Sequence, residues 1–162
     1  MKRAILALAL IASPAMAQET FGAWKIHSRV DPMTDKPGYL LLAEGAKMKI
    51  GFFCGAPGKS MFVSIDGRPY LGTADRRNTR TVQLRVDDQP SVESTAWIYL
   101  DRSVTPSSNK DFARMIADGA TLKVKVVDYN LASHYDEIPI GGAREAIERV
   151  YSLCAAKSPF TR

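Results

Sequence analysis

Apolar and polar positions alternate through Ala46–Cys54, where Met48, Ile50, Phe52 and Cys54 share one parity and Lys47 and Lys49 take the other. A period of two is that of a strand with one buried face. Thr81–Val86 repeats it, with Val82, Leu84 and Val86 inward and Thr81, Gln83 and Arg85 outward. So do Leu122, Val124 and Val126, interleaved with Lys123 and Lys125. Looser strands are expected over Phe21–Arg29 (Trp24 and Ile26 on one face), Tyr39–Ala43, Ser60–Ile65, Ser94–Leu100 (with Trp97 and Tyr99) and Tyr135–Ile140. Asp31-Pro32 and Lys36-Pro37-Gly38 bracket a loop. Asp66-Gly67 reads as a two-residue hairpin turn from which Arg68–Leu71 returns.

The period lengthens twice late in the chain. Ser107-Ser108 caps a helix over Asn109–Asp118, with Asp111 near its positive end, Phe112, Met115 and Ile116 as its stripe and Gly119 as its stop. A second helix is expected over Gly142–Ala155, where Ala143, Ile147, Val150, Tyr151 and Cys154 recur at helical spacing. Seven or eight strands with two late helices define a mainly β, α+β class: an antiparallel sheet assembly in a single domain, with the helices at one face or end. A doubly wound parallel sheet is disfavoured, because early strands do not alternate with helices.

The first residues follow neither period. Met1-Lys2-Arg3 precedes an apolar run from Ala4 to Ala12, then Ser13-Pro14 and Ala15-Met16-Ala17. These are the basic, apolar and small-residue parts of a secretory signal peptide over residues 1–17, cleaved after Ala17. A buried N-terminal helix is the competing reading, but such a helix would be apolar on every side. No cysteine stands at the cleavage site to carry a lipid, and no run reaches the roughly 20 residues of a membrane span. The expected product is one β-rich domain over residues 18–162, periplasmic or extracellular, with no membrane span. Losing Lys2 and Arg3 lowers the formal net charge of +5 by two.

An oxidising compartment changes how the cysteines read. Cys54 and Cys154 are the only two, so a single connectivity exists. Strand parity turns Cys54 inward, and the stripe of the last helix does the same for Cys154. A disulfide is expected, and closing a loop of about 100 residues is assigned about 4.7 kcal/mol in the chain-entropy model. The alternative is a pair of buried free thiols.

Candidate chemistry is sparse. His27 and His134 are the only histidines. His27 has the outward parity of its strand, and His134 stands in a turn-like Ser-His-Tyr-Asp-Glu stretch, where Asp136 or Glu137 would be its partner in a metal site. No Gly-x-Ser-x-Gly elbow is present, so a nucleophile with its base is not evident. Asp31 and Asp35 lack the ligand series of a calcium loop and read as a turn with Asx hydrogen bonds. Asp87 and Asp88 are neighbours on an extended chain and point apart, so they cannot flank one glycosidic bond. Gly55-Ala56-Pro57-Gly58-Lys59-Ser60 ends like a phosphate loop, but the first glycine of that motif would fall on Phe53. No catalytic residue, cofactor or metal site is therefore expected.

Arg76, Arg77, Arg80 and Arg85 form the densest basic run. Nucleic-acid binding would need a larger charge excess with interleaved aromatics. The bland reading is a solvated loop and strand face. The functional reading is an anionic-partner patch of Arg76, Arg77 and Arg80, since guanidinium forks suit carboxylates and phosphates. The surface near Trp24 and Tyr39 is the next candidate.

The order Gly22-Ala23-Trp24, Asp31–Asp35, a core strand ending in Cys54, Arg85–Asp88, Trp97, and Gly141-Gly142-Ala143 before a helix ending in Cys154 resembles the VasI/TagO-like accessory proteins of type VI secretion clusters and their exported relatives. That resemblance implies an accessory role in the periplasm without catalysis. The Phe21-Gly22-Ala23-Trp24 opening also resembles the invasion-associated locus B-like exported proteins. The expectation is a non-enzymatic accessory or binding protein whose partner is an envelope protein or an anionic envelope component, not nucleic acid. The competing readings are an exported hydrolase of unrecognised type and an inhibitor of a cell-wall-degrading enzyme. A positive chain is poorly steered towards a basic enzyme, which argues against the inhibitor.

Overall fold

The computed structural model describes residues 18–67, 69–73 and 75–161, with only the backbone of residues 75–77. The signal peptide expected over residues 1–17 lies outside the described residues. The elements in chain order are β1 (Glu19–Phe21), β2 (Trp24–Val30), β3 (Pro37–Glu44), β4 (Lys49–Cys54), β5 (Phe62–Asp66), β6 (Asp75–Val86), β7 (Val92–Leu100), β8 (Ser103–Pro106), α1 (Asn109–Ile116), β9 (Thr121–Val127), β10 (Ser133–Pro139) and α2 (Ala143–Leu153). All pairings are antiparallel, in one sheet of order β1-β2-β3-β4-β5-β8-β7-β6-β9-β10. The expected class, mainly β with two late helices, is what the structure has.

Among the described residues the strands number ten rather than seven or eight, and each discrepancy has a physical cause. Phe21–Arg29 is not one strand. Phe21 pairs with Trp24 across a turn at Gly22-Ala23 in which Gly22 takes φ 56°, so the segment is a tight hairpin of β1 and β2. Asp66-Gly67 is not a hairpin turn: β5 runs on to pair with β8, through Ile65–Val104 and Asp66–Ser103. Strand β8 has four residues and ends in proline, too short to show a period. The presumed loop before Thr81 is the first half of the twelve-residue β6, which reaches back to Asp75.

Alternation decides which side of the sheet is core. Trp24, Ile26, Leu41, Ala43, Ile50, Phe52, Val63 and Ile65 point inward from β2–β5 and are almost fully buried. Val82, Leu84, Ala96, Ile98, Leu122, Val124 and Val126 complete the inner face from β6, β7 and β9. Both helices lie on this side. Helix α1 starts at Ser108, whose hydroxyl accepts from the Asp111 N–H at 3.2 Å, and buries Phe112 against Phe52 with ring centres 6.1 Å apart. Helix α2 presents Ala143, Ala146, Ile147, Val150 and Tyr151 to the same core. Cys54, ending β4, is bonded to Cys154, the residue that caps α2, with Cα atoms 6.2 Å apart.

The curled sheet is held where its far ends meet. The Trp24 indole N–H donates to the Ile140 carbonyl at 3.0 Å, and the Ala23 N–H donates to Gly141 O at 3.0 Å. The Gly22-Ala23 turn thus lies backbone to backbone on the Gly141-Gly142 entry of α2. A Cβ on Gly22 would stand 2.2 Å from Gly141 O, and one on Gly142 would stand 2.7 Å from Phe21 O. Gly142 also sits at φ 86°, which disfavours any side chain. Gly142→Ala should lower stability by about 1–3 kcal/mol, through strain and a displaced hairpin. Urea unfolding checks this, and an unchanged midpoint would show that the contact yields freely.

Candidate binding surface

Strand β4 breaks its alternation at one place. Phe52 points into the core, and Phe53 follows on the outer face, where a polar residue would be ordinary. Phe53 lies opposite Phe62 on β5 and Leu40 on β3, and Leu40 lies opposite His27 on β2. One row across the outer face therefore reads His27, Leu40, Phe53, Phe62. The Phe53 and Phe62 rings stack with centres 5.4 Å apart. An irregularity between Ile98 and Leu100 in the pairing of β7 with β8 brings Tyr99 over the pair, 6.0 Å from Phe53 and 6.2 Å from Phe62. Gly51 lets Leu40 lie close to the sheet, since a Cβ there would stand 3.3 Å from Leu40 Cδ1.

Leu40, Phe53 and Tyr99 floor a groove of about 570 Å³, with His27 and Arg29 on its β2 wall and Leu100 at the other side, while Phe62 stacks on Phe53 outside that lining. Phe62, Tyr99 and Leu100 are 42%, 43% and 58% exposed, values for large apolar groups that mark an interaction surface when they cluster. Asp66 closes the polar end. Burial raises its pKa, and hydrogen bonds from Ser64 (3.2 Å) and Ser103, with the nearby Lys49 charge, counter part of that. The arrangement offers aromatic and aliphatic contact beside positive charge.

The structure separates the other residues singled out by sequence. Arg80 is half-buried, with one guanidinium nitrogen donating to Thr79 O at 2.9 Å and another where a Gly72 side chain would begin; its Nε has no partner among the described residues. Arg80 is therefore only partly in solvent. Arg76 and Arg77 belong to β6, and their side chains lie outside the described residues. Trp24 is fully buried and offers no surface, and Tyr39 has the inward parity of β3 and packs against the core, so neither side chain supplies the outer face.

His134 binds Asp128, at 2.7 Å from Nε2 to Oδ2, rather than Asp136 or Glu137. That hydrogen bond, with the Ala132 and Asn130 N–H groups, holds the Asp128 pKa below its ordinary value. No group of three His, Cys, Asp or Glu side chains suited to a metal occurs among the described residues. Asp31 accepts from the Met33 N–H at 2.7 Å, the expected Asx turn. Asp87 and Asp88 part company: Asp87 accepts from the Thr121 N–H at 2.8 Å, and Asp88 meets Arg85 at 3.5 Å in solvent.

Sequence reasoning passed over Phe53, Phe62, Leu40 and Leu100. The available signal was an aromatic at the polar parity of β4; its clustering with Phe62 and Tyr99 needed the register.

A single antiparallel sheet, two helices covering its inner face, one disulfide and an open aromatic outer face define a disulfide-tied α+β architecture. No protein-family model matches the chain, and no curated protein matches it. Among solved structures it is similar to the crystal structure of invasion-associated protein B from Bartonella henselae, with a TM-score of 0.57 over 85% of this chain and 96% of that one. At 14% identity the likeness is one of fold. In fold alone, it agrees coarsely with the second of the two resemblances read from the sequence.

Proposed function

We propose that this chain is an exported, non-enzymatic accessory or binding protein of the bacterial envelope, working through a sheet surface rather than a catalytic cleft. The observation that carries this reading is the open aromatic groove over β3, β4, β5 and β7, on the side away from both helices. Three further features support it. The Cys54–Cys154 bridge suits an oxidising compartment. The first residues have the pattern of a cleavable signal. The fold is shared with a protein titled as invasion-associated. No helix of the described residues is long and apolar enough to cross a membrane.

Export is tested by fractionating cells that express the full chain and weighing the protein. The expected species lies outside the cytoplasm and begins at Gln18; a cytoplasmic species that retains Met1 would overturn the reading.

The arginine run is the second surface to test. On the reading of the run as a patch open to a partner, Arg76→Ser with Arg77→Ser should leave the melting temperature nearly unchanged. It should weaken salt-sensitive association with isolated envelope fractions. Arg80→Ser belongs in a separate variant, since its guanidinium packs over Gly72 and its loss disturbs that contact. Association that ignores both salt and the double change would remove the patch from consideration.

A further inference from the structure

Positive charge borders the aromatic groove along one side. Lys25, His27 and Arg29 alternate with inward Trp24 and Ile26, so all three stand exposed on the outer face of β2. Neither Lys25 nor Arg29 is in an ion pair with another described residue. Lys49 lies on the same face, paired across strands with Glu44 and Asp66. Of these two acids, Asp66 is half-buried and already bonded by Ser64; the exposed Asp31, Asp35 and Asp101 stand in loops beyond the ends of β2 and β7. Large apolar groups thus stand beside unpaired cations.

We propose that this outer face docks on an anionic lipid surface, with Phe62, Tyr99 and Leu100 entering the headgroup boundary and Lys25 and Arg29 meeting lipid phosphates. Aromatic rings favour that boundary because it is apolar on one side and wet on the other. Cations beside them are drawn to anionic lipid within a Debye length, about 8 Å at physiological salt. The topology favours a lipid over an extended peptide. Strands β4, β5, β7 and β8 are flanked by strands on both sides, so their main chain is committed and cannot pair with an added strand. A lipid surface needs no main-chain partner. The proposal deepens the envelope reading by giving the partner's chemistry, and its test in vitro fails independently of the export test.

The experiment is co-sedimentation of the protein purified from cells expressing the full chain, whatever its compartment, with phosphatidylglycerol/phosphatidylcholine vesicles and with pure phosphatidylcholine vesicles. Binding is expected to the anionic vesicles, falling as salt rises, and to be weak on the neutral ones. Each basic residue near an anionic leaflet is worth about fivefold in partitioning, so Lys25→Ser with Arg29→Ser should weaken binding by about 25-fold. Leu100→Ser and Phe62→Ser should each weaken binding while the circular-dichroism melt confirms folding. All variants share one N-terminus, so retained residues 1–17 cannot mimic the result. No sedimentation with anionic vesicles, or equal binding by the folded Leu100 and Lys25/Arg29 variants, overturns the proposal. So does a dimer that the same substitutions dissolve while lipid binding is absent, since a second copy would then be the occupant.

Discussion

Cys154→Ser should lower the free energy of unfolding by about 2–5 kcal/mol, the usual cost of losing a native disulfide. The bridge joins the end of β4 to the cap of α2, elements 100 residues apart in the chain. Helix α2 supplies Ala143, Ala146, Ile147, Val150 and Tyr151 to the core, so freeing its end loosens the inner face of β1–β4. The Gly58 N–H donates to the Cys154 carbonyl at 2.8 Å, so the Gly55–Ser60 turn is tied to the same point. Cys54→Ser should cost about as much as Cys154→Ser, and the double variant little more than either, because all three remove one bond. Urea unfolding of the oxidised proteins measures this. Under reductant the wild type should fall to the level of the variants. Two reactive thiols in the native oxidised protein would dispose of the prediction.

Asp136→Ala should cost about 2–4 kcal/mol, since it removes two hydrogen bonds to a charged acceptor and leaves a buried donor without a partner. Asp136 is buried on β10, and one carboxylate oxygen accepts from the Lys47 and Met48 N–H groups, each at 2.7 Å. Those groups form the turn between β3 and β4, so this one side chain clips β10 to the other half of the sheet. The fit is close: a side chain on Gly45 would begin 2.5 Å from the same oxygen. Burial pushes the Asp136 pKa up, and the N–H groups of Lys47, Met48, Glu137 and Ala46 together outweigh it, so the pKa lies below its ordinary value. A carboxyl whose pKa is lowered on folding stabilises fully above its unfolded pKa, about 3.9, and loses that contribution as pH falls through the folded value. The wild type should therefore lose stability below about pH 4, and Asp136→Asn should lose less over that range. An Asn variant with the wild-type slope would show that the acid sensitivity arises elsewhere.

The sheet class, the two helices and the inward parity of both cysteines were legible in the chain, because strand and helix periods are local properties. Met48, Ile50, Phe52 and Cys54 on β4 needed no partner to reveal their face, nor did Ile147, Val150 and Cys154 on α2. Elements too short to repeat their period more than once or twice were not legible. The three residues of β1 and four of β8 carry no repeat. The Phe-Gly-Ala-Trp opening was read as a strand because its glycine turn acquires meaning only when Gly141 and Gly142 lie against it.

For the candidate surface the division is sharper. Lys25, His27 and Arg29 announce an outer face by parity alone, and the cysteine count gives the only bridge available. Phe53, Phe62 and Tyr99 stand in three strands, and nothing local says that they meet. Their contact depends on the register of β4 with β5 and on the irregularity in β7 that turns Tyr99 across β8. Asp136 was noticed only as a neighbour of His134, while its work is to close the sheet against Lys47 and Met48, nearly ninety positions away. Which way a side chain faces is set by its own strand, and the sequence determines that. Which side chains share a surface is set by how strands from distant parts of the chain pair and curl, and only the tertiary structure decides it.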